Sequence, residues 1–205
     1  MYGFVDRPSV PSGDGLVLTH GAGGHCQSPL LQALAAGFAA ASMVVLRCDL
    51  PYRQARRSVP PSPTGTARDR QGLKHAVLEL RSLAPGRVFL GGHSYGGRQA
   101  SLLVAEEPEL VAGLLLLSYP LHPPGRPTDL RTAHLPRLRV PTLFVHGDKD
   151  PFGSLDEIER ARAILPAPTA LCRVPGGHDL GYRRGGGAAA ALPGRIVTEF
   201  RALVA

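Results

Sequence analysis

Ser94 stands in Gly91-Gly92-His93-Ser94-Tyr95-Gly96-Gly97, directly after the apolar run Val88-Phe89-Leu90 and ahead of a helix-like segment. A serine hydroxyl is a poor nucleophile in water. It gains reactivity when a sharp strand-to-helix turn holds it proud of a sheet, beside a base and beside backbone N–H donors. Such a turn brings neighbouring backbone close, so the positions two before and two after the serine must be small, and here they are Gly92 and Gly96. A nucleophile of this kind needs a carboxylate and then a histidine, each at the carboxyl end of a later strand. Thr142-Leu-Phe-Val-His-Gly147 runs into Asp148 and Asp150, and Leu171-Cys-Arg-Val-Pro-Gly-Gly runs into His178. His178 is the only one of eight histidines that follows the acid-bearing strand, so position as well as type makes it the base. Asp150, three residues beyond Gly147 and fixed by Pro151, is the expected orienting acid, with Asp148 as its competitor.

An oxyanion formed at Ser94 needs two backbone donors. One is the N–H of Tyr95, and the second belongs to the loop after the first core strand, His20-Gly-Ala-Gly-Gly24. Ala22 is the expected donor there, with Gly23 as the alternative. His20 and His146 each precede a glycine at a strand end and read as local packing or bonding groups, while strand alternation points His93 away from the nucleophile. Tyr52, Tyr95, Phe152 and Tyr182 fall near strand ends and could line a shallow pocket, which Gly23 would border. Arg53, Arg56, Arg57 and Arg98 could attract an anionic substrate.

Positioning these groups takes a sheet. Short apolar runs at Leu16–Thr19, Met43–Cys48, Val88–Gly91, Val111–Ser118, Thr142–His146 and Ala170–Val174 alternate with helix-length segments, the pattern of βαβ units around a buried parallel sheet. Helices are expected from Ser28-Pro29, from about Thr66 to Pro85, over Tyr95–Glu106, after Ser154, and from about Gly194. Residues 1–15 read as an extended lead-in, Arg56–Gly65 as a proline-rich surface loop and Arg183–Gly187 as a basic connector.

Composition narrows the classes. The 205 residues suit a single domain over 1–205, and 43% hydrophobic with 19% charged residues describes a globular chain. The net charge of +7 comes almost wholly from scattered arginines, only Lys74 and Lys149 being lysine, which fits a coding bias better than a nucleic-acid surface. Cys26, Cys48 and Cys172 are odd in number and lack metal spacing, which argues against a disulfide framework and a zinc site. The N-terminus lacks the pattern of a secretory signal and no stretch reads as a membrane span, so a cytoplasmic location is expected.

His20-Gly-Ala-Gly-Gly, Gly92-His-Ser-Tyr-Gly-Gly, Gly147-Asp-Lys-Asp150-Pro and Gly177-His178, in this order, resemble the α/β-hydrolase fold from about Leu16 onward. Within it the chain resembles the small dienelactone-hydrolase-like proteins, most closely the group typified by Tex30 and the hydrolase-like domain of KANL3. Leu50-Pro-Tyr52, Arg56-Arg57, Gly96-Gly-Arg98 and Asp150-Pro-Phe-Gly153 carry that likeness. Dienelactone hydrolases themselves place a cysteine where this chain has Ser94, so their specific activity is not implied. The resemblance implies an open, mainly parallel six-stranded sheet in the order 2-1-3-4-5-6, with helices on both faces and no lid. The expected activity is that of a carboxylesterase-like serine hydrolase with Ser94, Asp150 and His178 as its triad, a covalent acyl-enzyme, a small-molecule ester substrate and no cofactor or metal. A monomer or homodimer with no nucleic-acid or membrane partner is expected. The competing reading is a non-catalytic scaffold that keeps the fold.

Overall fold

The computed structural model describes residues 2–55, 59–182 and 187–205, with side chains of the last stretch from residue 190. Arg56, Arg57 and most of the 183–187 connector therefore lie outside the described residues. Seven strands form one sheet: β1 (Gly3–Asp6), β2 (Gly15–Thr19), β3 (Val44–Cys48), β4 (Val88–His93), β5 (Leu114–Leu117), β6 (Thr142–Gly147) and β7 (Thr169–Val174). Their order is β1-β3-β2-β4-β5-β6-β7. The six strands expected from the sequence are present in the expected order and pair in parallel. The sheet has seven strands and not six, because β1 pairs antiparallel with the outer edge of β3.

The lead-in assigned to residues 1–15 thus contains an edge strand. Four residues flanked by Gly, Pro and Ser carry too little periodicity to announce themselves, and a tertiary contact decides the matter. Arg47 on β3 is buried and grips Asp6 of β1 with two nearly parallel bonds, Nε to Oδ2 at 2.7 Å and Nη2 to Oδ1 at 3.2 Å. Its guanidinium also lies 5.4 Å from the Phe4 ring centre.

Strands β2, β3, β5 and β6 are buried along their whole length, because helices cover both faces. Alternate residues of each strand feed two separate cores. Val17, Leu46, Leu90, Leu116 and Phe144 pack against α3 (Thr66–Leu83), α4 (Tyr95–Glu106) and α5 (Leu155–Arg162). Leu16, Val45, Phe89, Leu117 and Val145 pack against α1 (Pro29–Ala40) and α6 (Gly187–Leu203). On that second face Phe200 meets Phe38 and Phe89 edge-on at 5.7 and 5.3 Å.

Local signals set several boundaries. Ser154 accepts from Glu157 N–H while Glu157 reaches back to Ser154, a reciprocal cap that starts α5. Pro29 opens α1 as expected, though Ser28 makes no side-chain cap. A short helix not expected from the sequence, α2 (Pro51–Ala55), follows β3, and the described part of the proline-rich loop ends in a 3₁₀ turn at Pro63–Gly65. No helix among the described residues is long and apolar enough to cross a membrane.

Candidate active site

Ser94 is the hinge between β4 and α4, held at φ 51° and ψ −116°. A left-handed φ is costly for a residue with a side chain, and such strain persists only where the surroundings enforce it. The enforcement comes from close glycine contacts. A Cβ on Gly92 would lie 2.5 Å from Gly97 N, and one on Gly96 would lie 2.5 Å from the His20 carbonyl oxygen, so only glycine lets the strand, the helix and the His20 loop meet. Ser94 N–H donates to the Leu117 carbonyl at 2.8 Å, which fixes the turn to the neighbouring strand.

The loops after β6 and β7 bring two groups to this turn. Ser94 Oγ is 2.7 Å from His178 Nε2, and His178 Nδ1 is 2.8 and 3.0 Å from the two carboxylate oxygens of Asp150. With the carboxylate accepting, Nδ1 carries the imidazole proton and Nε2 is left to accept from the serine. The Asp150 side chain is wholly buried, and its Oδ1 also accepts from Phe152 N–H at 2.9 Å. His146, likewise buried, braces the same loop by donating from Nε2 to the Gly153 carbonyl at 2.7 Å. Asp148 is exposed and turned elsewhere, its Oδ1 accepting from Gly176 N–H at 2.9 Å, so of the two aspartates only Asp150 meets the histidine.

His93 follows its strand alternation to the face covered by α1 and α6. The loop after β7 crosses that face, so His93 Nε2–H donates to the carbonyl of His178 at 2.8 Å, with the two rings 5.2 Å apart. Burial pushes the His93 pKa down to about 4, which keeps the ring neutral and able to hold this one donor bond. Alternation alone could not reveal that contact, because it says which face a side chain takes and not which loop covers it.

The loop after β2 abuts the serine: a Cβ on Gly21 would fall 3.2 Å from Ser94 Cβ. Its orientation is set from behind. His20 Nε2 accepts from Leu50 N–H at 3.2 Å, which leaves Nδ1–H to donate to the Gly21 carbonyl at 2.8 Å, a neutral tautomer that burial favours by lowering the His20 pKa. Tyr52 OH reaches both the Gly21 and Ala22 carbonyls, at 3.2 and 2.9 Å, and Arg53 Nη2 donates to Ala22 O at 2.7 Å. In a trans peptide the N–H points opposite to the C=O, so pinning these two carbonyls on the Tyr52 side turns the Ala22 and Gly23 N–H groups the other way. Tyr95 is the first residue of α4, where an N–H has no carbonyl of its own helix to bond and sits at the positive end of the helix dipole.

Asp69 ties these pieces together, although no sequence motif marks it. It is 1% exposed, on the face of α3 that also carries Leu73, Ala76, Val77 and Leu80. Oδ1 accepts from Tyr52 N–H at 3.0 Å and Oδ2 from Tyr95 OH at 2.7 Å, and the two tyrosine rings meet edge-on at 5.7 Å. A carboxylate on an apolar helix stripe is the signal that could have found it, since a buried charge needs such partners. Burial and Asp69 together push the Tyr95 phenol up.

Of the residues expected to line a pocket, Gly23 is open, since a Cβ placed on it would meet no atom within 4 Å, and the Phe152 ring lies 4.3 Å from the His178 ring. Tyr52 lines an open cavity of about 300 Å³ with Pro51, Ala55, Val59, Pro60 and Asp69 while its hydroxyl faces the Gly21 loop. Tyr182 packs against the α1–α6 core. No cluster of His, Cys, Asp and Glu among the described residues could hold a metal ion, and Cys26, Cys48 and Cys172 are buried free thiols.

Comparison with known proteins agrees with this fold. A family described as an α/β-hydrolase domain matches residues 13–197. NocK of Nocardia uniformis subsp. tsuyamanensis, named as an esterase, is 31% identical over 164 residues, which span 69% of this chain and 45% of NocK's own length. Among solved structures, Est1E of Butyrivibrio proteoclasticus with ferulic acid bound superposes with a TM-score of 0.79 at 16% identity, over 99% of this chain and 95% of that one. A dienelactone hydrolase from Anabaena variabilis ATCC 29413 gives 0.77 at 23% identity, over 98% and 91%. The sheet order, the glycine-cleared turn at Ser94 and the match over residues 13–197 lead to one conclusion: this chain belongs to the α/β-hydrolase family.

Proposed function

We propose that the chain is a serine hydrolase of ester-type acyl bonds, carboxylesterase-like, within the small dienelactone-hydrolase-like members and nearest to the Tex30 and KANL3 group. The observation that carries this reading is the unbroken hydrogen-bonded line from Ser94 Oγ through His178 to the buried Asp150. His178 Nε2 takes the hydroxyl proton as Oγ attacks the ester carbonyl carbon. Asp150 holds the imidazole in its Nδ1–H tautomer and offsets the positive charge that forms. The carbonyl oxygen, now anionic, is met by the Tyr95 N–H and by the Ala22 N–H, which the Tyr52 and Arg53 anchors aim. The tetrahedral adduct collapses as His178 returns its proton to the departing alkoxide, leaving an acyl group on Ser94. Water, deprotonated by the same nitrogen, then attacks the acyl carbon and releases the acid.

The substrate in this reading is a small ester that approaches between the Gly23 loop and Phe152. Labelling by a fluorophosphonate tests the reading directly. The native chain should label once and turn over a short 4-nitrophenyl ester, and Ser94→Ala should abolish both. A folded chain that stays unlabelled, or labelling that survives Ser94→Ala, overturns the reading in favour of a non-catalytic scaffold.

A further inference from the structure

Asp69 takes no part in the acyl-transfer steps. It is nevertheless 1% exposed, and both of its side-chain hydrogen bonds among the described residues go to the oxyanion elements, from Tyr52 N–H at 3.0 Å and from Tyr95 OH at 2.7 Å. It lies in the first turn of α3, where the helix dipole favours a negative charge, but neither bond supports α3 itself. A buried ionic group is a weak way to stabilise a fold, since apolar residues in its place are often neutral or better. Its place on the stripe of Leu73, Ala76, Val77 and Leu80 therefore asks for a reason in what it holds.

One oxygen holds α2. Five residues cannot sustain a helix alone, because the first turn fixes several dihedrals for a single bond. Pro51 has no N–H, while Arg53 and Gln54 N–H donate to the Leu50 carbonyl at 2.8 and 3.1 Å. Tyr52 N–H has no acceptor in its own turn, and Asp69 Oδ1 supplies one. With α2 fixed in this way, Tyr52 OH stands 2.9 Å and Arg53 Nη2 2.7 Å from the Ala22 carbonyl, the two contacts that orient the Gly21 loop. The other oxygen holds the turn at Ser94. The direction of the Tyr95 N–H follows from Ser94 ψ at −116°, beside a strained φ of 51°, and such strain relaxes unless the neighbouring residues are tied down. Tyr95 OH on Asp69 Oδ2 is a charge-assisted bond that ties the very next side chain to α3. The Tyr52 and Tyr95 rings touch edge-on at 5.7 Å, so a shift at either one is felt by the other.

We propose that Asp69 is a positioning residue: its one carboxylate sets the spacing between the two oxyanion donors, the Tyr95 N–H and the Ala22 N–H, which come from distant parts of the chain. This role rests on the serine-hydrolase reading and deepens it. Donors fixed in advance meet the developing charge without reorganising, so a residue that fixes them acts on the transition state and not on the bound ester. Asp69 therefore contributes to kcat and leaves KM nearly untouched.

Asp69→Ala, Asp69→Asn and Tyr95→Phe, assayed on a short 4-nitrophenyl ester, separate positioning from a merely structural role. Asp69→Ala should lower kcat about 100-fold, as both donors loosen at about tenfold each, with KM within about twofold. Tyr95→Phe should lower kcat about tenfold at nearly constant KM. Added to Asp69→Ala it should lower kcat no further, because the bond it removes is already gone. Asp69→Asn should stay within about fivefold of the native kcat, since its amide oxygen accepts from Tyr52 N–H and its NH2 donates to the Tyr95 phenol oxygen. A trifluoromethyl ketone, which forms an oxyanion adduct on Ser94, reads the donors without turnover, and its Ki should rise as kcat falls across the variants. Melting temperatures identify the folded variants, and if Asp69→Ala does not fold, Tyr95→Phe and Asp69→Asn decide the matter by the same criteria. A folded Asp69→Ala or Tyr95→Phe chain whose kcat stays within about threefold, a rise in KM at constant kcat, or full additivity of the two losses overturns the positioning role. If a fluorophosphonate labels Ser94 and the native chain cleaves the ester in that case, the hydrolase reading stands without it. If Ser94 never labels, the hydrolase reading falls and the positioning role falls with it.

Discussion

Tyr52→Phe separates two roles that the position could fill. The phenyl ring would keep its edge-on contact with Tyr95 at 5.7 Å and its place beside the Arg53 guanidinium at 5.2 Å, so packing is preserved. What goes is one hydroxyl proton shared between the Gly21 and Ala22 carbonyls at 3.2 and 2.9 Å. One neutral hydrogen bond lost contributes about 1 kcal/mol of stability, which in a chain of this size lowers the melting temperature by roughly 2–4 °C. The catalytic effect should be larger than this suggests, because the carbonyls aim the N–H groups behind them. Removing an oxyanion donor outright costs about 10²–10³ in kcat. Here His20 Nδ1–H and Arg53 Nη2 still hold the loop, so a loss of about tenfold, or about 1.4 kcal/mol of transition-state stabilisation, is expected. The interaction being weakened forms only as charge develops on the oxygen, so KM should stay within about twofold. Steady-state kinetics on a short 4-nitrophenyl ester, read as kcat and KM separately, measures this. A raised KM with kcat unchanged would show that Tyr52 serves as a wall of the cavity it lines, and would refute the argument that it aims the loop.

Three further outcomes follow from the geometry. Asp150→Asn should lower kcat by about 10³–10⁴ by favouring the wrong imidazole tautomer, whereas Asp148→Asn should stay within about threefold, since an amide oxygen can still accept from Gly176 N–H. Kinetics on both variants separates the two aspartates, and similar losses would contradict the assignment. His93 and His134 each have a folded pKa of about 4 against an ordinary 6.5, lowered chiefly by burial. The unfolded chain therefore binds protons first, so stability is full above about pH 6.5 and is lost as pH falls toward 4, by on the order of 3 kcal/mol for each histidine. Denaturant unfolding followed from pH 7.5 to 4 tests this, and a curve flat across that window would refute it. Burial pushes the thiols of Cys26, Cys48 and Cys172 up to about 12, so Ellman's reagent should find almost none in the native chain and all 3 after unfolding in guanidinium.

Much of the site could be read before any coordinates, for reasons that lie in local chemistry. The turn at Ser94 demands glycines at 92 and 96 because backbone must approach backbone there, and no other side chain leaves room. Asp150 and His178 stand just past apolar runs that can only be buried strands, so their positions at one end of the sheet follow from the pattern. The helix over Tyr95–Glu106 and the cap at Ser154 were legible because the residues that start and stop helices act within a single turn. The antiparallel β1 was not, since its pairing rests on Arg47 and Asp6, which are 41 residues apart and meet only when the sheet forms.

The same division holds within the site. Sequence alone determined which residue types could carry acyl transfer and in what chain order they had to come, because those constraints belong to the reaction and to the period of the strand. Only the tertiary structure decided that Asp150 and not Asp148 faces the histidine, that His93 holds the carbonyl of His178, and that buried Asp69 joins Tyr52 to Tyr95 behind the Gly21 loop. Each of these depends on where a loop from a distant part of the chain comes to rest. That is set by the packing of two cores on opposite faces of the sheet, a sum over many contacts that no short stretch of sequence contains.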